Sequence, residues 1–453
     1  MHIQQETICA LATATGGALA IIRVSGTNAL DIVQEICTCD FRSAKANTVH
    51  HCHILDHKEV IDDVLVNIYH APHSYTGEDS VEIMCHGSAY IARKILQLLV
   101  DKGCRMAQPG EYTQRAFLNG KLDLAQAEAV ADLIASTNKA THRMAIAQLR
   151  GSISNKLVEL RSQLLQLTSM LELELDFSDH EELEFADRSE LLSLAQSIEQ
   201  HISQLTHSFE QGQALKNGIP VAIVGKTNVG KSTLLNALLK DNRAIVSDIH
   251  GTTRDTIEDT IDLQGATFRF IDTAGIRQTA DQIEQIGIER TYQAIEKARI
   301  VIWMIDEVPG NEEQQAMAHR CEGKSLIVLS NKIDKGIAVP AASITIPYAS
   351  FHQISAKQNV HIEQLEQAIY EAALLPDFSE NEVIISNARH YDTLCRAHES
   401  ISRVLQGMNE HLSGDLLSED LRQVLAILAE ITGGQITTDE VLSNIFSHFC
   451  IGK

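Results

Sequence analysis

An apolar run, Val221, Ala222, Ile223 and Val224, has the length of a buried parallel strand, and Gly225-Lys226-Thr227-Asn228-Val229-Gly230-Lys231-Ser232 follows it without a gap. Thr233-Leu234-Leu235-Asn236-Ala237-Leu238-Leu239 then reads as helix. G-x-x-x-x-G-K-S between a strand and a helix is a phosphate loop. Its glycines let backbone N–H groups close around phosphate oxygens at a helix N-terminus, where unpaired donors and the macrodipole favour anions. Lys231 is expected to reach the β- and γ-phosphates and the Ser232 hydroxyl to ligate Mg²⁺. An ordinary glycine turn is the competing reading, and sequence and context together disfavour it.

The stretches that follow select the nucleotide. Asp272-Thr273-Ala274-Gly275 closes the strand-like run Phe268 to Ile271, which puts a carboxylate where Mg²⁺ is needed and a glycine N–H near the γ-phosphate. Between it and the phosphate loop, Gly251-Thr252-Thr253-Arg254-Asp255 offers a second hydroxyl for Mg²⁺. Asn331-Lys332-Ile333-Asp334 follows the apolar run Leu326 to Leu329. Asp334 can accept both guanine N1–H and N2–H₂, which adenine does not offer, so its unpaired carboxylate rejects ATP. Ser355-Ala356-Lys357 adds a backbone N–H for guanine O6. Each of these motifs is weak alone; in this order, each after a strand-like run, they predict GTP.

The residue after the D-x-x-G glycine is Ile276, where many small GTPases carry a glutamine that orients water. An aliphatic side chain cannot align water. Two groups remain as candidates: Glu284, in Ala280-Asp281-Gln282-Ile283-Glu284-Gln285, and Asn228, whose amide oxygen could hold a monovalent cation where an arginine finger would put positive charge. Local sequence alone favours a solvated surface acid for Glu284.

The chain has 453 residues, enough for about three domains. Its 44% hydrophobic content supports real cores, and only 4% aromatics suits helices rich in Leu and Ala. A net charge of -23 argues against a general nucleic-acid-coating surface, though not against a local basic patch. No stretch has the form of a signal peptide or approaches a membrane span, so a cytoplasmic protein with no membrane partner is expected. Nine cysteines without paired spacing fit a reducing compartment.

Up to about residue 120 the pattern is mixed α/β. Ala20-Ile21-Ile22-Arg23-Val24 and Val64-Leu65-Val66-Asn67-Ile68 have strand character, and Val81, Ile83 and Cys85 alternate, so that Glu82 and His86 face the other way. Glu82 reads equally as a ligand contact or as a solvent-facing position. Cys37, Cys39, His50, His51, Cys52 and His53 match no zinc template, and the histidines read as scattered on the surface. From Leu122 to Lys216 the pattern is helical: Leu157, Leu160, Leu164, Leu167 and Leu171 recur at three-four spacing, as do Ile198, Ile202, Leu205 and Phe209. The acidic stretch Glu172 to Glu184 reads as a connection between them. Helical spacing resumes at Leu421, Leu425, Leu428 and Ile431, after the nucleotide segment closes near Leu375-Pro376-Asp377, so that segment is expected to be inserted in a helical domain. The final Cys450-Ile451-Gly452-Lys453 is not a prenylation box, because Gly452 is not aliphatic.

Together, Gly251-Thr252-Thr253-Arg254-Asp255, Asp272-Thr273-Ala274-Gly275, Ile286-Gly287-Ile288-Glu289-Arg290, Pro109-Gly110-Glu111, Ala116-Phe117-Leu118-Asn119-Gly120-Lys121-Leu122-Asp123-Leu124-Ala125-Gln126-Ala127-Glu128 and the terminal Cys-Ile-Gly-Lys make the chain resemble, over essentially its whole length, the MnmE (TrmE) family of tRNA modification GTPases. The resemblance implies a multidomain α/β plus all-α chain. Residues 1–120 would be an N-terminal folate-binding and dimerisation domain resembling aminomethyltransferases. Residues 121–215 and 376–453 would form a discontinuous helical bundle, and residues 216–375 an inserted P-loop, Ras-like G domain. It further implies a homodimer that joins the FAD-dependent MnmG (GidA) subunit in a heterotetramer. The complex would place an aminomethyl or carboxymethylaminomethyl group on C5 of the tRNA wobble uridine, U34, with carbon from 5-formyltetrahydrofolate or 5,10-methylenetetrahydrofolate.

Residue by residue, the resemblance implies folate contacts at Arg23, Glu82, Lys121 and Lys453, Mg²⁺ ligands at Ser232 and Thr253, and a K⁺ site at Asn228, Ser247, Ile249 and Thr252. GTP contacts would come from Asn228, Val229, Gly230, Lys231, Ser232 and Thr233, from Ser247, Asp248, Ile249, His250, Gly251, Thr252 and Thr253, from Asp272, Thr273, Ala274 and Gly275, and from Asn331, Lys332, Asp334, Ser355, Ala356 and Lys357. Glu284 becomes the water-orienting acid, acting with Asn228 and Lys231, and Cys450 a thiol near the folate with an open role. The chain departs from the family pattern at Lys226-Thr227, where Arg-Pro is common, and at His86-Gly87-Ser88; it is also short between Asp306 and Ser325. Two other readings are a regulatory GTPase in ribosome assembly and a folate-dependent transferase whose G domain only regulates access.

Overall fold

The computed structural model describes residues 6–41, 43–176, 188–242, 259–271, 284–374, 383–434, 442, 445–446, 449 and 452. The chain divides into two compact units, Met1–Ile134 with Gln148–Ala195 and Glu399–Lys453, and Ala135–Ala147 with Gln196–His398.

The first unit contains a six-stranded sheet made of β1 (Ile8–Leu11), β2 (Leu19–Ser25), β3 (Thr48–Asp56), β4 (Glu59–Tyr69), β5 (Ser80–His86) and β6 (Arg105–Met106), in the order β3-β4-β5-β2-β1-β6. Period-two alternation decides its faces. Ile22, Val24, Val64, Val66, Ile68, Val81, Ile83 and Cys85 are buried in one core with residues of helices Ala29–Ile36 and Ala89–Asp101. Arg23 and Glu82 lie on the opposite face and directly opposite each other in the antiparallel register of β2 and β5. On β3 the same alternation buries Cys52 and leaves His51 and His53 exposed, so the cysteines and histidines of this region are split between two faces.

A charged network lies inside this unit. Arg115, 1% exposed in its side chain, donates through Nη2 to Glu111 Oε1 at 3.0 Å and through Nη1 to Glu78 Oε2 at 3.1 Å; Glu111 is 2% exposed and also accepts from Arg105 Nη2 at 2.6 Å. Burial opposes the charge on Glu111, but the bonds from Arg105, the Gln108 N–H and Arg115 together hold its carboxyl below the usual range. Removing one member of such a set leaves buried charge uncompensated. Arg115→Met is therefore expected to destabilise the first unit by about 3–5 kcal/mol, measurable as lost hydrogen-exchange protection in helix Glu111–Leu118. Unchanged protection would mean that the carboxylates have other partners.

Helices Ser152–Asp176 and Gly414–Thr432 pack together in the same unit. Leu157, Leu160, Leu164, Leu167 and Leu171 are buried, and so are Leu417, Leu421, Val424, Leu428 and Ile431, alternating three and four apart as in a coiled-coil seam. Two expectations need correction. Helix Ser152–Asp176 runs through Glu172, so the acidic stretch begins as helix rather than as a connection. Val424, not the half-buried Leu425, occupies the seam of the last helix, because a heptad step from Leu417 lands there.

The second unit holds β7 (Ile219–Gly225), β8 (Asp259–Leu263), β9 (Ala266–Phe270), β10 (Ile300–Ile305), β11 (Ser325–Ser330) and β12 (Ser350–Gln353), in the order β12-β11-β10-β7-β9-β8. All pairs are parallel except β8 with β9. β10 is buried along its whole length, Ile302 and Met304 in one core and Val301, Trp303 and Ile305 in another, as a sheet covered on both faces requires. The chain leaves β7 toward β9 on one side and returns to β10 on the other. That makes the carboxyl end of β7 a topological switch point, where open α/β sheets bind their ligands. The last helix of this sheet domain is Ile362–Ala372, with His361 as its N-cap. Phe209, predicted for a helical seam, is half-buried and stacks on Tyr391 at 4.2 Å.

Candidate nucleotide-binding site

The loop after β7 is shaped by backbone that few residues tolerate. Gly225 has φ +148° and Gly230 φ +110°; a Cβ on the first would run into the Met304 carbonyl oxygen and on the second into Asn331 Nδ2. Asn228 adopts φ 64°, the left-handed region open to asparagine. Helix Lys231–Asn242 starts where this loop ends, with Ser232 and Thr233 exposed in its first turn and Val229 and Leu234 buried beneath. The result is a concave run of backbone with a helix N-terminus behind it, which suits a polyphosphate. Lys231 Nζ donates to the carbonyls of Gly225 at 2.6 Å and Lys226 at 2.8 Å, and burial pushes its pKa below the usual lysine range.

Asn331, 4% exposed, joins this loop to the base-recognition segments. Its Nδ2 donates to Val229 O at 2.8 Å and its Oδ1 accepts from Ala356 N at 3.1 Å. Asp334 Oδ1 accepts the Ser355 hydroxyl at 2.7 Å, and Ser355 Oγ in turn accepts Gln358 N at 3.3 Å. Lys332, at φ 72°, donates to Asp306 Oδ2 at 2.6 Å, and Lys357 is exposed. Asn331, Lys332, Asp334, Ser355, Ala356 and Lys357 are thus brought together beside Asn228, Val229, Gly230, Lys231, Ser232 and Thr233.

Ser247, Asp248, Ile249, His250, Gly251, Thr252, Thr253, Asp272, Thr273, Ala274 and Gly275 lie outside the described residues. Glu284 is the first residue of helix Glu284–Lys297. Sequence reading passed over one contact at this site: Lys226 Nζ reaches Glu307 Oε1 at 2.5 Å and Glu313 Oε2 at 3.4 Å, and the bond to Glu307 raises its pKa. Nothing short-range in the sequence pairs residues so far apart.

The first unit carries a second constellation. Arg23 Nε and Nη2 donate to Glu82 Oε1 at 3.0 and 2.8 Å, and Nη1 donates to Gly452 O at 3.2 Å, so the residue before Lys453 reaches Arg23. Tyr75 and Tyr112 flank the guanidinium, 5.5 and 5.6 Å from ring centre to Cζ, and the Tyr112 hydroxyl donates to Arg23 O at 2.8 Å. Lys121 Nζ donates to Pro72 O at 3.0 Å and its stem packs on Gly77, so the segment from 72 to 77 touches both Lys121 and, through Tyr75, Arg23. The two tyrosines were not singled out by sequence; Tyr112 follows Pro109-Gly110-Glu111 directly. Glu82 is a paired, half-buried acid rather than a solvent-facing one. Cys450 and Lys453 lie outside the described residues.

A family model described as the MnmE helical domain matches residues 124–450, and one described as the GTP-binding protein TrmE N-terminus matches residues 7–121. The tRNA modification GTPase MnmE of Phocaeicola vulgatus is 53% identical over 100% of this chain and 99% of its own length. Those of Bacteroides thetaiotaomicron and Flavobacterium psychrophilum are 53% and 47% identical, each over 100% of both chains. Among solved structures, the G domain of T. maritima FeoB is 23% identical over 34% of this chain and 98% of that chain, with a TM-score of 0.25. Among the described residues no helix is long and apolar enough to cross a membrane. On the full-length identity to these relatives, the chain belongs to the MnmE family of tRNA modification GTPases.

Proposed function

We propose that this protein hydrolyses GTP at the carboxyl end of β7. The hydrolysis would be coupled to modification of tRNA wobble uridine at C5, adding an aminomethyl or carboxymethylaminomethyl group with a tetrahydrofolate one-carbon donor and an FAD-dependent MnmG (GidA) partner. The observation that carries the nucleotide part is that one buried amide, Asn331, ties the glycine cradle that holds Lys231 to the Ser355-Ala356 segment whose hydroxyl holds the Asp334 carboxylate. Family membership carries the tRNA part.

Asp334 selects guanine, and Lys231 leaves its two carbonyl partners for the β- and γ-phosphates as the substrate enters. Loop N–H groups orient those phosphates. The exposed Ser232 hydroxyl at a helix N-terminus fits a hard cation beside phosphate. Ser232 and Thr253 would hold Mg²⁺, which supplies a Lewis acid at the phosphate oxygens when bound. Asn228, Ser247, Ile249 and Thr252 would hold K⁺, which supplies positive charge opposite the phosphate charge that develops in the transition state. Glu284 orients the attacking water. Arg23, Glu82, Lys121 and Lys453 would hold 5-formyl- or 5,10-methylenetetrahydrofolate, the source of the carbon. The half-buried Arg23–Glu82 pair fits it, offering donors to glutamate carboxylates and an acceptor to a donor-rich pterin edge.

In this reading residues 1–120 bind folate and dimerise, 216–375 are the G domain, and 121–215 with 376–453 relay its motion. Two measurements test it. Replacing K⁺ by Na⁺ at equal ionic strength should slow GTP turnover by about tenfold or more, a loss of over 1.4 kcal/mol of transition-state stabilisation; equal rates would remove the cation from the mechanism. Glu284→Ala should keep nucleotide affinity and lose about 100-fold in turnover. A fall in affinity instead would make Glu284 structural. Mass analysis of tRNA from cells lacking the gene should show wobble uridines without the C5 substituent.

A further inference from the structure

Two thiols of the first unit lie against each other. The bridge between Cys37 and Ile54 is antiparallel and isolated. Thr38 N donates to His53 O at 3.1 Å and His53 N donates to the Thr38 hydroxyl at 3.0 Å, which holds the chain there against β3. One residue on, the Cys39 and Cys52 thiols are within hydrogen-bonding reach of each other. Both cysteines are free thiols. Cys52 is buried in the sheet core with Cys37 and Phe41, whereas Cys39 is half-buried, its Sγ donating to His51 O at 3.1 Å. Gln34 fixes the segment that carries Cys39, accepting Phe41 N at 2.5 Å and donating to the Cys39 carbonyl, so closure of a bond there asks little rearrangement.

We propose that Cys39 and Cys52 are a peroxide-responsive thiol pair, in which hydrogen peroxide oxidises Cys39 and Cys52 closes a disulfide that pins residues 37–41 to β3. The Cys39 thiolate attacks peroxide, forming S–O as O–O breaks and hydroxide leaves. The Cys52 sulfur then attacks the Cys39 sulfur; S–S forms, S–O breaks, and the departing hydroxyl takes the Cys52 proton and leaves as water. Two electrons pass from the thiols to peroxide, and a dithiol reductant reverses the step. Roles follow from access: burial and the adjacent Cys39 thiol hold Cys52 up at about 12, and burial pushes Cys37 higher still, so neither offers the first thiolate.

Full-length protein treated with limiting hydrogen peroxide, quenched with N-ethylmaleimide and digested with trypsin should yield peptides 24–42 and 46–58 joined and two hydrogen masses lighter, separated again by dithiothreitol. Cys37→Ser should keep the link. Cys52→Ser and, as a second choice of side chain, Cys52→Ala should lose it and instead let dimedone trap sulfenic acid on Cys39. Failure of wild-type protein to give the joined peptides, a link that survives Cys39→Ser but not Cys37→Ser, or oxidation confined to Cys395 or Cys450 would overturn the assignment.

Discussion

Replacing Asp334 by asparagine should change the preference for GTP over xanthosine triphosphate by about 10⁴-fold. Asp334 has one carboxylate oxygen engaged by the Ser355 hydroxyl, which fixes the plane of the group. On the proposed reading its remaining acceptor capacity would meet two donors on guanine, and an amide would set N–H₂ against them while matching the C2 carbonyl of xanthine. A site built to hydrogen-bond its ligand rejects the mismatched analogue by about 10⁴–10⁵, since buried polar groups are then left unpaired. Competition between the two triphosphates for a fluorescent guanine nucleotide reads the ratio directly. If the variant still prefers GTP, Asp334 does not read the base.

Lys231→Ala should lower kcat/KM for GTP by about 10²- to 10⁴-fold. The ammonium is half-buried, and burial already lowers its pKa, so it is poised to gain more from phosphate than from the neutral carbonyls of Gly225 and Lys226. Losing a buried charge partner of that kind costs about 3–5 kcal/mol, which is the stated range. The same carbonyls lose a donor in the variant, so a purely structural effect has to be separated. Hydrogen exchange across the loop does this: protection that matches wild type alongside lost turnover assigns the effect to phosphate, and a general loss of protection assigns it to the loop fold.

Much of this arrangement was legible before any coordinates. The strand, glycine loop and helix from Ile219 to Leu239 identify themselves because each is a local pattern, and the strand alternation at Val81, Ile83 and Cys85 gives the face of Glu82. Face is not partner, however. That Glu82 meets Arg23 depends on which strand lies beside β5, a pairing across 59 residues that periodicity does not encode. The link from Lys226 to Glu307 spans 81 residues and is likewise set by the adjacency of β7 and β10. Burial of Arg115 was hidden for a different reason: its charge suggests a surface position, and only the simultaneous presence of Glu78 and Glu111 makes an interior one tolerable. In the last helix the misplacement of Leu425 came from taking the step after Leu421 as four residues rather than three, since both spacings keep a residue near the same face.

The amide of Asn331 has an implication for how such a pocket can change over generations. One end of it grips the crown of the phosphate loop and the other end the Ala356 peptide. An aspartate there has no donor, a serine cannot stretch to both sides, and a glutamine overshoots. The sequence at this point is therefore locked, and neither half of the pocket is free to drift without disturbing its counterpart.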